Sequence, residues 1–333
     1  MPPMETYAGK KTLITGGLGF IGSNLALRLV ELGAEVTLVD SMIPSHGGNL
    51  FNIEPVRGRV NVNISDVRDA HGLEYLVRGQ DFIFNLAGQV SHIESMTDPM
   101  TDLEINSRSQ LSLLEVARHR NPDVRIVFTG TRQVYGKPEY LPVDEKHPVA
   151  FTDVNGVNNF AGESFHRLYH DVYGIRACVL RLTNTYGPRQ LIRHSRQGFI
   201  AWFIRNLLDG KPIQVFGDGT QVRDLNYVDD VVEALLQVGQ NDRCWGQVYN
   251  LGAPEHISLW DLAHLMVEVS GARVPIEKVP FPPEKKRIDI GDYYADYRKI
   301  REAVGWDARV SIRDGMKRTF DYYRANRRHY LDD

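Results

Sequence analysis

Apolar residues in the first half of the chain come in short runs separated by stretches of helical periodicity. The runs at 11–15 (KTLIT), 35–39 (EVTLV), 60–63 (VNVN), 81–85 (DFIFN), 125–129 (RIVFT) and 177–182 (ACVLRL) are short and bounded by polar or turn residues, which predicts strands. The stretches 20–32, 69–78, 99–119 and 153–173 predict helices between them. Strand–helix alternation of this kind predicts an α/β fold: a parallel, doubly wound sheet covered on both faces, with right-handed crossovers. After residue 183 the pattern changes. TNTYGPRQ (183–190) reads as a loop, 198–209 as a helix stopped by Gly210, and FGDGTQ (216–221) as turns. Helices are expected at 228–239 and 258–270, and 272–292 is rich in proline and charge. The expected division is a doubly wound domain over 1–182 and a smaller mixed α/β lobe over 183–333. A segment near 216–252 is expected to return to the first domain. The cleft between the two is the expected binding site.

Composition narrows the class. With 42% hydrophobic and 24% charged residues the chain is an ordinary globular protein. Its net charge of −3, with both signs spread along the chain, offers nothing to nucleic acid or to a membrane surface. Cys178 and Cys244 are its two cysteines. Cys178 lies in an apolar run, so a buried thiol and a reducing cytoplasm are expected. No apolar run approaches the ~18 residues of a membrane span. The opening MPPMETYAGKK lacks the apolar core of a signal peptide. No metal site is expected.

The strongest chemical signal is TLITGGLGFIG (12–22). Gly16, Gly19 and Gly22 fall between a strand and a helix that opens near Phe20. Glycines there permit a tight turn and close approach of backbone to a pyrophosphate, and the helix N-terminus offers unpaired N–H groups. The next strand ends in Asp40, where a carboxylate hydrogen-bonds a ribose 2′-OH and repels a 2′-phosphate. The expected domain is a Rossmann domain and the expected cofactor is NAD, in preference to NADP. Asp66, in NISDVRD, has two open readings: an adenine contact or a helix N-cap.

Beyond this fingerprint, NLAGQVS (85–91), EIN (104–106), VYG (134–136), LRLTNTYGPRQ (180–190), FGDGTQVRDLNYVDD (216–230), YNLG (249–252) and GW (305–306) follow in order. Together they resemble the extended short-chain dehydrogenase/reductase family of nucleotide-sugar epimerases and dehydratases, over nearly the whole chain. NLAGQVS, QGFIAWF (197–203) and QVRD (221–224) are similar to CDP-tyvelose 2-epimerases, and the rest fits UDP-sugar 4-epimerases equally. The resemblance implies transient oxidation of a sugar hydroxyl by tightly held NAD⁺, with the hydride usually returned. It implies a cofactor site of Gly16, Gly19, Phe20, Ile21, Gly22, Asp40, Asp66, Val67, Leu86, Ala87 and Asn106. It places Thr131 on the reacting hydroxyl, a role its donor and acceptor capacity suits. On the nucleotide side it places Asn184 and Arg223 on the diphosphate. Arg287 has two readings, a second phosphate contact or a solvated charge run. The resemblance further implies a homodimer paired through helices 99–119 and 153–173, whose apolar faces carry Leu111, Leu114, Val116, Phe160, Phe165, Leu168 and Tyr169. Packing of those faces within one chain is the alternative.

Two departures from the family pattern bear on the reaction. Dehydratases carry Asp-Glu after the Thr131 position, and this chain carries Arg132-Gln133. Arg stays protonated and Gln does not titrate, which argues against dehydration and decarboxylation. Both are assigned to the substrate side, Arg132 either to a polar or charged sugar substituent or to the surface. The family's Tyr-x-x-x-Lys is replaced by Asn155 and Asn159. Neither can move a proton as a tyrosine beside a lysine does, although Asn159 retains the capacity to bond the nicotinamide ribose. His92 and Asp153 are the candidate replacement bases, against the plainer readings of a surface histidine and a helix cap. The expected activity is therefore nucleotide-sugar epimerisation, foremost at C4 of a UDP-sugar, with a changed acid–base set. The alternatives are inversion at another carbon such as C2 of a CDP- or dTDP-sugar, a non-catalytic binder of NAD and sugar nucleotide, and an oxidoreductase that releases its keto product.

Overall fold

The computed structural model describes residues 7–43, 46–194 and 198–331. Residues 1–6, within the segment considered for a signal peptide, and Gln197 of QGFIAWF lie outside the described residues. The strands are β1 (Lys11–Thr15), β2 (Glu35–Asp40), β3 (Val60–Ile64), β4 (Phe82–Asn85), β5 (Arg125–Thr131), β6 (Arg176–Leu182), β7 (Asn184–Tyr186), β8 (Ile213–Phe216), β9 (Val222–Tyr227), β10 (Val248–Asn250), β11 (His256–Ser258) and β12 (Ile276–Val279).

Seven of them form one sheet in the order β10-β6-β5-β4-β1-β2-β3, and every neighbouring pair is parallel. Both faces are covered. Ile14, Leu38, Phe84 and Val127 pack under helices Phe20–Glu31 and Val228–Gly239 through Leu25, Leu29, Val231 and Leu235. Leu13, Val39, Ile83 and Ile126 pack under helices Ala70–Val77, Ser109–Arg120 and Val154–Tyr173 through Leu73, Leu114 and Tyr169. Burial on both faces explains why β4 buries all four of its residues. Strand order reverses between β1 and β4, so the carboxyl ends of these two strands open a crevice at the switch point.

The carboxyl-terminal part holds a second core. Helices Phe199–Leu208, Leu259–Ser270 and Ile312–Ala325 pack through Ile204, Met266 and Phe320. They adjoin a three-stranded sheet, β11-β9-β7, and a two-stranded sheet, β12-β8.

Several elements differ from the pattern reading. TNTYGPRQ is not all loop, because Asn184–Tyr186 pairs with β9. Residues 99–119 are not one helix. Asp98 caps a short helix at Pro99–Leu103, a wider π turn follows over Glu104–Arg108, and the chain re-enters an α-helix at Ser109. Asp66 is not a helix cap. That role falls to Asp69, which accepts from His71 N, while Asp66 pairs with Arg68 at 2.6 Å. Cys178 and Cys244 are buried and unbridged. No helix among the described residues is long and apolar enough to cross a membrane.

Candidate active site

The glycine turn sits at the crevice. Gly16 has φ +67°, and a Cβ there would lie 3.1 Å from Ala87 Cα. A Cβ on Gly22 would lie 2.2 Å from Gly16 O, so only glycine lets the helix start against the turn. No side chain caps helix Phe20–Glu31, and no acid occupies its first turn. Its first amides are left for an anion, and the helix dipole favours one. Asp40 Oδ2 accepts from Leu18 N at 3.0 Å and its Oδ1 from Met42 N at 2.9 Å. Burial raises its pKa despite these bonds. Both oxygens keep lone pairs beside the turn, and a glycine cradle with a bare helix terminus fits a dinucleotide's pyrophosphate.

The far wall of the crevice is pinned by short polar links. Thr15 Oγ1 accepts from Leu86 N and Ala87 N at 3.0 and 3.1 Å and donates to Asn85 Oδ1. Asn106, in the π turn, clamps the backbone of Gln89: its Oδ1 accepts from Gln89 N at 3.0 Å and its Nδ2 donates to Gln89 O at 2.9 Å. Asn106 therefore shapes the loop that carries Leu86 and Ala87. Phe20 and Ile21 are half-buried at the opening of the helix, and Val67 packs on the sheet's second face.

Thr131 ends β5 and caps the short turn Arg132–Tyr135, its Oγ1 accepting from Gln133 N at 3.1 Å. The hydroxyl hydrogen is left for another acceptor. The side chain of Gln133 is buried and donates to Thr152 Oγ1 at 3.0 Å and to Asp153 Oδ2 at 2.8 Å.

Arg132 is not at the surface. Its guanidinium is buried, lies 5.0 Å from the Tyr293 ring centre, and donates through Nη2 to Asn184 Oδ1 at 3.3 Å. Arg223 is buried close by. Desolvation, and then the neighbouring charge of Arg132, push its pKa down to about 10. Among the described residues no carboxylate lies within 4.0 Å of either guanidinium. Arg223 is held by carbonyls, Nη1 donating to Val222 O at 2.9 Å and to Gly291 O at 2.5 Å. Arg132 Nη1, Arg223 Nε and Asn184 Nδ2 are buried donors without a partner. An unmatched buried donor costs about 1–3 kcal/mol, and more when charged. Arg287, in contrast, is exposed at the end of the short helix Pro283–Arg287.

Asn155 and Asn159 stand on the first turns of helix Val154–Tyr173. Asn155 is buried, and its Nδ2 donates to Gln89 O at 2.7 Å and to Asp102 Oδ2 at 3.0 Å. Asn158 Nδ2 donates to the other oxygen of Asp102 at 2.8 Å. Asn159 Nδ2 turns back to Asn155 O and Oδ1, at 2.9 and 3.2 Å. Both Asn155 amide hydrogens are thus committed to the scaffold. The buried carboxylate of Asp102, which sequence patterning leaves inside a helix, is the hub of this lattice. Nor do the neighbouring tyrosines replace the missing one. Burial pushes Tyr135 up to about 12 and raises Tyr293 further, away from base function.

Residues 12–252 match the NAD dependent epimerase/dehydratase family. A putative UDP-glucose 4-epimerase of Methanocaldococcus jannaschii is 32% identical over 318 residues, covering 95% of this chain and 99% of the relative. A CDP-paratose 2-epimerase of Salmonella typhi is 28% identical, covering 94% of this chain and 98% of that protein. The crystal structure of UDP-glucose 4-epimerase from Thermotoga maritima, solved with UDP-glucose, superposes with a TM-score of 0.87 at 30% identity, covering 95% of this chain and 99% of that one. The chain belongs to the NAD dependent epimerase/dehydratase family, whose cofactor is NAD.

Proposed function

We propose that this chain epimerises a nucleotide sugar by transient oxidation to a keto sugar, foremost at C4 of a UDP-sugar. The observation that carries this reading is the set of three unpaired buried donors, on Arg132, which follows Thr131 in the chain, and on Asn184 and Arg223. Two guanidiniums and an amide, with no carboxylate among the described residues within 4.0 Å of either guanidinium, suit an anionic ligand, and a sugar diphosphate brings dense negative charge to a fork-shaped donor. The sugar then extends toward Thr131, whose hydroxyl holds the reacting oxygen. Bound NAD supplies the hydride acceptor for oxidation and the donor for its reversal. The Gly16–Gly22 turn, Phe20, Ile21 and Asp40 hold it, and Asn159 Oδ1 serves a ribose hydroxyl. Arg132 and Gln133 supply no acid for expelling water, which favours epimerisation over dehydration. The likeness to a CDP-paratose 2-epimerase supports a second reading, inversion at C2 of a CDP-sugar.

Proton NMR of the protein with NAD⁺ and a panel of UDP-, dTDP-, CDP- and GDP-sugars tests this. A new epimer is expected, and its identity names the carbon and the base. Water loss or CO₂ release as the sole chemistry overturns the reading. So does binding of both ligands without turnover, which is the behaviour of a non-catalytic binder.

A homodimer is part of the same proposal, through the expected helices, with Leu168 the exposed member of the apolar set named for them. Leu114, Val116 and Tyr169 are buried in the chain's own core, with Leu111 and Phe165 packed against it. Leu168 is exposed, together with Met96, Met100, Val157 and Val172, each at least 46% exposed. These apolar side chains on neighbouring helices suit a second copy. Light scattering at micromolar concentration is expected to give twice the chain mass, and a monomer mass would reject the dimer.

A further inference from the structure

The loss of the family's Tyr and Lys leaves the proposed reaction without a proton acceptor, and one cluster at the crevice has the make-up to supply it. Ser91 caps the short helix His92–Thr97, accepting from Glu94 N at 3.3 Å. The helix is docked through Ser95, whose Oγ donates to His92 O at 2.8 Å and accepts from Asn155 N at 3.2 Å. This docking sets His92 against Asp153, with Nδ1 at 3.0 Å from Asp153 Oδ2. The contact is close but is not a well-aligned hydrogen bond.

Asp153 is more than a helix cap. Its Oδ1 accepts from Gly156 N at 2.7 Å as the cap of helix Val154–Tyr173, while its Oδ2 serves both His92 and Gln133 Nε2. Burial opposes its ionisation, but the close approach of His92, with the bonds from Gly156 N and Gln133, holds its pKa below the usual carboxylate value. Its side chain is fully buried, whereas that of His92 is 37% exposed. A carboxylate on Nδ1 selects the tautomer with the proton on that nitrogen, so Nε2 presents a lone pair. The links run from His92 to Asp153, to the Gln133 side chain, and through Gln133 N to Thr131 Oγ1. The charged groups around the pair are Arg132, which faces Asp153 from the turn after β5, and Glu94, on the His92 helix and bonded to Gln89 Nε2.

We propose that His92 is the general base and acid of this site, with Asp153 and Gln133 as positioning residues. The inference rests on the epimerase reading above. On oxidation the substrate O–H bond breaks and its proton passes to His92 Nε2. The electron pair left on oxygen becomes the second bond of the carbonyl as the carbon loses a hydride, which bound NAD⁺ would accept. On reduction the carbon regains a hydride, and the proton returns from Nε2 to oxygen. Protons and electrons balance without a further reactant. Histidine as a residue type exchanges protons near neutrality without the neighbouring cation that a tyrosine needs. The loss of a lysine at 159 is then of no consequence to proton transfer.

The test compares the full-length protein with His92→Ala, His92→Gln and Asp153→Asn, each with NAD⁺ and the nucleotide sugar the wild type turns over. His92→Ala and His92→Gln are expected to lower kcat by about 10²–10⁴-fold, with KM and NAD binding within a few-fold. Added imidazole is expected to restore part of the His92→Ala activity. Nitrogen-15 NMR of labelled protein gives a readout apart from turnover: His92 is expected as the Nδ1–H tautomer in the wild type, with that preference lost in Asp153→Asn. An active wild type with an unimpaired His92→Ala overturns the role of His92 and leaves the epimerase reading standing. A wild type that binds NAD and nucleotide sugars but turns none over overturns both.

Discussion

Gly22→Ala is expected to lower NAD affinity by about 100-fold or more while leaving the fold in place. The added Cβ would lie 2.2 Å from Gly16 O and 2.9 Å from Gly16 C and Gly17 Cα. All three are backbone atoms, so no rotamer change relieves the clash. The turn must open or the helix start must move, and either displaces the Phe20 and Ile21 amides from a phosphate. Gly19→Ala calibrates the effect, since its Cβ would meet only Gly16 O at 3.2 Å, and a smaller loss is expected. Gly58→Ala is the control, with nothing within 4 Å of the new methyl. Calorimetric titration with NAD⁺, with circular dichroism as the check on folding, measures all three. A folded Gly22→Ala with wild-type affinity would mean that the cofactor does not lie on this turn.

The same turn shows why part of this molecule is legible from its sequence. Tight turns and fully buried strands leave local signatures: glycines at fixed spacing, and apolar runs such as FIF in β4. What the sequence conceals is burial of polar residues, because their partners are distant. The strand β9 reads VRDLNY, yet five of its six residues are buried. Asp224 is tolerated there because Thr183 Oγ1 and Ala295 N donate to it, and Asn226 because its Nδ2 donates to Gly252 O. Arg132 is hidden for the same reason, since only the fold brings Asn184 and Tyr293 around it. Asn106 carries the opposite lesson. Its place in EIN suggests the cofactor, but the motif gives no sign of the two bonds its amide makes to the backbone of Gln89. The break in helix 99–119 is equally non-local. Gly162 on the next helix lets Asn106 O approach so closely that a Cβ there would lie 2.8 Å from it. That approach accompanies the widened turn.

Arg181→Met is expected to destabilise the protein by about 3–5 kcal/mol, the largest effect on stability anticipated for a single side chain. Arg181 and Glu163 are 5% and 1% exposed, with Nη2 to Oε1 at 2.5 Å and Nε to Oε2 at 2.8 Å. This is a fork-to-fork pair that ties helix Val154–Tyr173 to β6. Arg181 Nη1 also donates to Tyr135 OH at 2.6 Å, and that hydroxyl donates to Asn250 Oδ1 at 2.7 Å. The network thus joins β6, the turn after Thr131, β10 and the helix that Asp153 caps. Removing the guanidinium leaves a buried carboxylate without its counter-ion, which costs far more than the pair contributes when intact. The double variant Arg181→Met/Glu163→Met removes both charges. It is expected to recover much of the loss, because the desolvation cost of the pair goes with it. Denaturant unfolding of the wild type, the two single variants and the double variant completes the cycle. A single-variant loss below about 1 kcal/mol, or a double variant as unstable as the sum of the singles, would show that the pair is not a coupled buried unit. Because the pair lies behind the site, the destabilised single variant is also expected to lose turnover. It would do so without restoration by added imidazole, which separates scaffold damage from loss of the proton acceptor.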